Sequence, residues 1–344
     1  MKKLIGILIS SLLVLTVACS RENSDKKAII DNPKIQLATP KGFPALNEAV
    51  YRNPPTKYGV ELGKKLFHEK KLSSNNTISC GSCHQQAKAF ADNHAQAIGI
   101  YDRIGLRNTP AIQNLAFIKH YNWDGSKREL EKQSLVPIIT HEEMNSSIME
   151  VMSKLQADKD YPILFHKTFG DQEISPERIY KSIAQYEYSL ISANSKYDRI
   201  RQNLGEQFSE SEAWGYRLFN TKCASCHQGE LFTDESFRNV GFPLNPNTDE
   251  AGRARVTGIP ADYMSFRVPS LRNIAYTAPY GSFGQFKTLR AVLDYFDKGV
   301  LDSDNLDPIL KKNKNRIPMT SQEKSAIISF LHTLSDEQFI DNQQ

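Results

Sequence analysis

Two five-residue runs, Cys80-Gly81-Ser82-Cys83-His84 and Cys223-Ala224-Ser225-Cys226-His227, constrain this chain more than any other feature. Each is a C-x-x-C-H sequence, the attachment signature of c-type haem. The two thiols form thioethers to the vinyl groups of one porphyrin, and the adjoining histidine is held under the iron as an axial ligand. A zinc site would need further cysteines or histidines at finger-like spacing, and a redox dithiol would need one copy in a βαβ setting. Neither accounts for two complete copies, each ending in His. The chain is therefore expected to carry two covalent haems c, with His84 and His227 as iron ligands.

The remaining cysteine, Cys19, has a separate explanation. The chain starts Met1-Lys2-Lys3, runs apolar from Leu4 to Val17 and reaches Ala18-Cys19-Ser20. That order of charged, apolar and small residues is a secretory signal, and a cysteine at its end is similar to a bacterial lipobox. Residues 1–18 are expected to be cleaved and Cys19 lipidated. Residues 19–50 then form a polar tether and lead-in. Haem attachment and lipidation together place the protein in the periplasm of a Gram-negative bacterium, anchored to a membrane, with the outer membrane expected. Losing two lysines leaves 41 basic and 39 acidic residues, a net +2 against +4 for the full chain. That balance, with no basic stripe, argues against nucleic acid as a partner.

The chain also repeats itself. Pro110-Ala111-Ile112-Gln113-Asn114-Leu115-Ala116-Phe117 matches Pro269-Ser270-Leu271-Arg272-Asn273-Ile274-Ala275-Tyr276, a shift of 159 residues (110 to 269) that also carries Gly125 onto Gly284. Similarity on this scale signals a duplicated domain rather than a solenoid. Helical spacing marks Tyr58–Phe67, Leu130–Pro137, Ser147–Leu155, Pro176–Ala193, Glu210–Phe219, Thr288–Phe296 and Ser321–Leu334, and strand signals are weak. The expected fold is mainly α. Two tandem cytochrome c-like domains, 51–200 and 201–344, each hold one haem, with an N-terminal helix crossing a C-terminal helix in each.

The segment between the haem motifs carries further chemistry. Asn122-Trp123-Asp124-Gly125, then Glu131-Lys132-Gln133-Ser134-Leu135-Val136-Pro137, then Glu142-Glu143-Met144, resembles the bacterial dihaem cytochrome c peroxidase and MauG-like superfamily. Val268-Pro269-Ser270-Leu271-Arg272-Asn273 and Thr277-Ala278-Pro279-Tyr280 are similar to later motifs of the same superfamily. The resemblance runs from about Pro54 to Ser335. It implies a peroxidase that reduces H2O2 to water, with electrons passing through the C-terminal haem from a small cytochrome c, another redox protein or a quinol. Glu143 would be the distal acid/base, Gln133 would hold the peroxide or its water, and Pro137 would wall the pocket. Trp123 would bridge the two haems. One Ca²⁺ is implied on the Asn108 side chain and the Thr277 and Pro279 carbonyls, and a homodimer is compatible with the family. Arg253, Arg267 and Arg272 are candidates for the haem propionates.

The chain departs from the family pattern in two places. The second histidine that closes the peroxidatic haem of activation-dependent members falls on Ile100, which has no lone pair, and His94 sits at the wrong spacing. The first haem is therefore expected to keep an open face. The sixth ligand of the second haem falls on Phe296, leaving Tyr295, Met264, Met319 or no residue. Two alternatives stand beside the peroxidase: a MauG-like oxidase that modifies a partner protein, and a non-catalytic dihaem electron carrier or redox sensor. His68, His120, His141, His166 and His332 show no ligand spacing.

Overall fold

In the computed structural model, residues 30–246 and 248–341 are described; the expected leader and Cys19 lie outside them. The chain from Asn32 onward packs as one unit. Its secondary structure is helical, apart from the two-residue antiparallel pairing of Phe237–Arg238 with Phe266–Arg267 and isolated bridges. No helix among the described residues is long and apolar enough to cross a membrane.

Two helix pairs form the frame, and their starts are written locally. Thr56 caps the Lys57–Phe67 helix by accepting from the Gly59 amide at 3.1 Å. Ser209 with Glu212, and Thr320 with Glu323, make reciprocal capping boxes at the heads of Glu210–Lys222 and Ser321–His332. These satisfy amides that have no intrahelical partner. Lys57–Phe67 crosses Pro176–Ser189, and Glu210–Lys222 crosses Ser321–His332. Each crossing is made close by a glycine: a Cβ on Gly63 would stand 1.9 Å from the Ser182 carbonyl oxygen, and one on Gly215 1.9 Å from that of Ala326. Backbone meets backbone there, so nothing can yield. Gly→Ala in an exposed helix stabilises by about 1 kcal/mol; Gly63→Ala and Gly215→Ala are instead expected to destabilise by about 1–3 kcal/mol through overpacking. Chemical denaturation of the haem-loaded protein measures this, and a gain in stability would refute the crossing geometry.

Two helix expectations need correction. Leu130–Pro137 is not continuous but breaks into Leu130–Gln133 and Leu135–Ile139. Pro137 has no N–H to donate to the Gln133 carbonyl, so the ladder fails there. Pro176–Ala193 stops at Ser189, because the Ser192 amide is taken at 2.8 Å by the Asn114 side chain. The helix Tyr161–Phe169, closed by Gly170 in the left-handed region, went unread in the sequence.

The matching segments adopt matching geometry. Asn114 and Asn273 both lie at positive φ, 59° and 56°, each heading a short 3₁₀ turn. Their amides donate to Leu190 and Leu334, just past the end of the crossing helix in each half. The two segments also touch, since the Gln113 side chain donates to the Arg272 carbonyl at 2.6 Å. One core gathers Phe67, Phe90, Leu130, Tyr186 and Tyr188 with Cys80 against it, and another gathers Tyr197, Phe219, Phe232 and Phe330 with Cys223 against it. The closing helix Glu337–Asp341 returns to the first half, where Phe339 packs 5.5 Å from Phe90.

Candidate active site

Cys80–Cys83 forms a single helical turn whose end presents His84. The His84 Nδ1–H donates to the Phe90 carbonyl at 2.8 Å, and the His227 Nδ1–H donates to the Phe232 carbonyl at 3.1 Å. A ring nitrogen facing a carbonyl must carry the proton, so Nε2 is left as the lone-pair donor on both rings, the arrangement a metal-ligating imidazole needs. Burial lowers both imidazole pKa values, which favours the neutral, ligating form. The four cysteines form no disulfide. Burial pushes the Cys83 and Cys223 thiols up to about 12. Among the described residues no cluster of three His, Cys, Asp or Glu could hold a metal ion.

A cavity of about 730 Å³ opens on His227, Cys223 and Cys226. Its walls include Leu271, Leu289, Leu293 and Phe296, and Arg267 reaches it from the strand pairing. Arg267 is the informative residue. Its Nε is buried with no hydrogen-bond partner, and burial lowers its pKa. Its Nη1 donates to the Val268 carbonyl at 3.5 Å and the Glu235 charge acts on it, but a buried cation compensated only so far is costly, so the site suits an anion beside a large apolar plate. Haem, with its carboxylate tails, fits that demand.

The other two candidate arginines are engaged elsewhere. Arg272 is fully buried and holds Asp198 through two hydrogen bonds of 2.9 and 2.8 Å, which removes it from the propionate set. Arg253 donates to the Asp124 carbonyl at 3.0 Å and lies 3.6 Å over the Phe237 ring.

Of the expected distal residues, Glu143 lies close to the first haem motif. Glu143 follows the Leu135–Ile139 helix in a turn, with its amide on the Thr140 carbonyl. Its charge is felt by both Cys80 and Cys83. Burial first, and the Glu142 charge second, push its carboxyl up to about 7. Glu142 points outward instead: its own amide and then His141 hold it below the usual carboxylate range. The chain behind Glu143 is tight. Ile100 donates its amide to the Glu143 carbonyl at 2.9 Å, and a Cβ on Gly99 would stand 2.0 Å from the Glu142 carbonyl. Ile100 is 1 % exposed, while the His94 side chain is half exposed, 3.9 Å from Asp92. Gln133 donates to the Asn122 side chain at 3.2 Å, and the Pro137 carbonyl accepts from Met144 at 3.1 Å.

Trp123 joins the halves. Its indole N–H donates to the Asn108 carbonyl at 2.9 Å and its own carbonyl accepts from the Arg267 amide at 2.8 Å. Asn108, Trp123, Thr277 and Pro279 all line the His227 cavity. Sequence reasoning missed what fixes this loop. Arg107 grips Glu250 at 2.6 and 3.0 Å and Asp124 at 2.7 Å. No motif signals it, because Arg107 and Glu250 lie 143 residues apart.

For the second haem's sixth position, the structure narrows the candidates. The Tyr295 hydroxyl donates to the Gly241 carbonyl at 2.6 Å and does not line the cavity, and neither does Met264. Phe296 and Met319 both line it.

Residues 57–206 match the family described as Di-haem cytochrome c peroxidase. Methylamine utilization protein MauG of Methylorubrum extorquens is 32% identical over 289 residues, covering 83% of this chain and 80% of its own. Cytochrome c551 peroxidase of Nitrosomonas europaea is 33% identical over 283 residues, covering 81% and 80%. The crystal structure of a MauG-like protein associated with microbial copper homeostasis superposes with a TM-score of 0.80 at 30% identity, covering 90% of this chain and 98% of that one.

Proposed function

Because the chain belongs to the MauG-like di-haem peroxidase superfamily, we propose that it reduces H2O2 to water, using electrons that enter through its C-terminal half. The observation that carries this reading is Glu143: a partly buried carboxyl, pushed up to about 7, beside the cysteines of the first haem motif and with no ligand residue at Ile100. Attached through Cys80 and Cys83, haem would supply the redox-active iron at which the O–O bond is reduced. Glu143, in its ionised form, takes the proton from one peroxide oxygen and returns it to the other, which leaves as water. A carboxyl titrating near working pH does both efficiently. Gln133 orients the peroxide or its water, and Pro137 limits the space around them. Trp123, bonded to Asn108 on one side and Arg267 on the other, gives electrons a route between the halves. Arg267 anchors a propionate.

The same reading extends to what surrounds the site. The two halves are tandem cytochrome c-like domains of common origin, each with a covalent haem c. One Ca²⁺ sits on Asn108, Thr277 and Pro279. The protein works in the periplasm on a lipid anchor at Cys19, with a small cytochrome c, another redox protein or a quinol as donor. A second reading, oxidation of a partner protein in the manner of MauG, is favoured by one observation: Phe296, on which the family's ligand position falls, lines the His227 cavity and has no lone pair to offer.

Resting-state spectra test the open face. The oxidised holo-protein is expected to show a high-spin haem and to react with stoichiometric H2O2 without prior reduction. Wholly six-coordinate, low-spin spectra with no peroxide response would overturn the proposal.

A further inference from the structure

A second buried acid lies near the first haem motif, and nothing above uses it. Glu187, on the Pro176–Ser189 helix, is 5 % exposed, and its Oε2 is buried with no hydrogen-bond partner. A carboxylate kept for structure alone would be expected to hold its fold through hydrogen bonds. This one sits instead between Tyr186 and Tyr188 of the core against which Cys80 packs, and its charge acts on the Cys80 sulfur.

We propose that Glu187 is a redox-linked proton site for the haem on His84: it takes one proton from solvent when that haem accepts one electron, and releases it when the electron leaves. The proposal rests on the reading above only in placing a haem on His84. Glu187 touches no substrate and acts through charge alone.

The surroundings explain why the proton is available. Glu131 faces it from the Leu130–Gln133 helix, Tyr121 from the loop before that helix, Cys80 from the haem turn, and Tyr186 and Tyr188 from its own helix. None of these is a cation. Burial first, then the Glu131 charge, push the Glu187 carboxyl up to about 8. Glu131 itself is held in place by Asn53 at 2.9 Å, with the Tyr188 hydroxyl at 3.5 Å. Oxidation of the haem adds one positive charge to the same low-dielectric region, where a charge acts strongly on a neighbouring acid. The ferric state therefore favours ionised Glu187 and the ferrous state favours the protonated acid. By linkage, each form of the acid stabilises one redox state.

The test is the midpoint potential of each haem in the holo-protein, followed by spectroelectrochemistry with redox mediators between pH 6 and 10, without peroxide. The potential of the haem on His84 is expected to fall as pH rises through the Glu187 titration. Glu187→Gln should lose the part of the fall centred near pH 8 and keep only the part that Glu143, pushed up to about 7 and acting on the same cysteines, adds at lower pH, with the haem on His227 unmoved as internal reference. Glu131→Gln should keep the fall but move it to lower pH, since the charge that raises Glu187 is gone. An unchanged titration in Glu187→Gln, or equal shifts on both haems, would overturn the proposal. If Glu187→Gln fails to fold, a titration in Glu131→Gln that does not move would overturn it as well. Loss of peroxide turnover would refute the peroxidase reading and leave these potentials as they are.

Discussion

Glu143→Gln is expected to lower kcat/KM for H2O2 by about 10²–10⁴-fold, the usual contribution of a positioned acid/base, with both haems still attached. The substitution preserves shape and removes only the ability to accept a proton. The pH profile makes the assignment specific. With the carboxyl pushed up to about 7 by burial and then by Glu142, the basic form is scarce at pH 5 and dominant at pH 8. Wild-type turnover should therefore rise across that interval, and the variant should lose the rise. Glu142→Gln is the control. Glu142 points outward and is held low by its own amide and then His141; removing its charge should only move the acid limb to slightly lower pH. Equal loss in both variants would take Glu143 out of its role.

Arg272→Met is expected to cost about 3–5 kcal/mol of stability, the range for breaking a buried ion pair from one side. Arg272 donates to both Asp198 oxygens and, through Nε at 2.6 Å, to the Glu230 carbonyl, and its guanidinium lies 4.6 Å from the Phe43 ring. Burial alone would push the Asp198 carboxyl up, but the hydrogen bonds and charge of Arg272, with help from Ser195, hold it below the usual range. In the wild type that pairing stabilises the fold above the ordinary carboxylate pKa and is lost as pH falls through the depressed one. In the variant the unpaired carboxyl instead favours a proton, so the difference between the two proteins should be greatest at neutral pH and shrink towards pH 4. Arg272→Met with Asp198→Leu should recover much of the loss, because neither charge then remains buried. Denaturant midpoints measure all three; full stability of the single variant at neutral pH would contradict the argument.

Local chemistry was the legible part of this chain. The two C-x-x-C-H turns, the helix starts at Thr56, Ser209 and Thr320, and the matched Asn114 and Asn273 turns each depend on a few adjacent residues. The choice of Glu143 came from the family resemblance by motif position, and its burial beside an exposed Glu142 appears only in the structure. The illegible part depends on partners distant in sequence. Nothing near Arg272 announces Asp198, so it looked free for a propionate. Nothing near Arg107 announces Glu250, and Glu187 reads as an ordinary helix residue until its burial is seen. The break at Ser134 was different: Pro137 carried the signal, and the apolar periodicity across it was given more weight than the missing N–H.

The central claim is that peroxide is reduced at the His84 half by electrons delivered through the His227 half. The most direct measurement is electron stoichiometry: limiting H2O2 added to the holo-protein with excess reduced small cytochrome c. The account predicts two cytochromes oxidised for each peroxide consumed, and the yield lost in Glu143→Gln. Peroxide consumed with no donor oxidised, while side chains of a partner protein become oxidised, would contradict it.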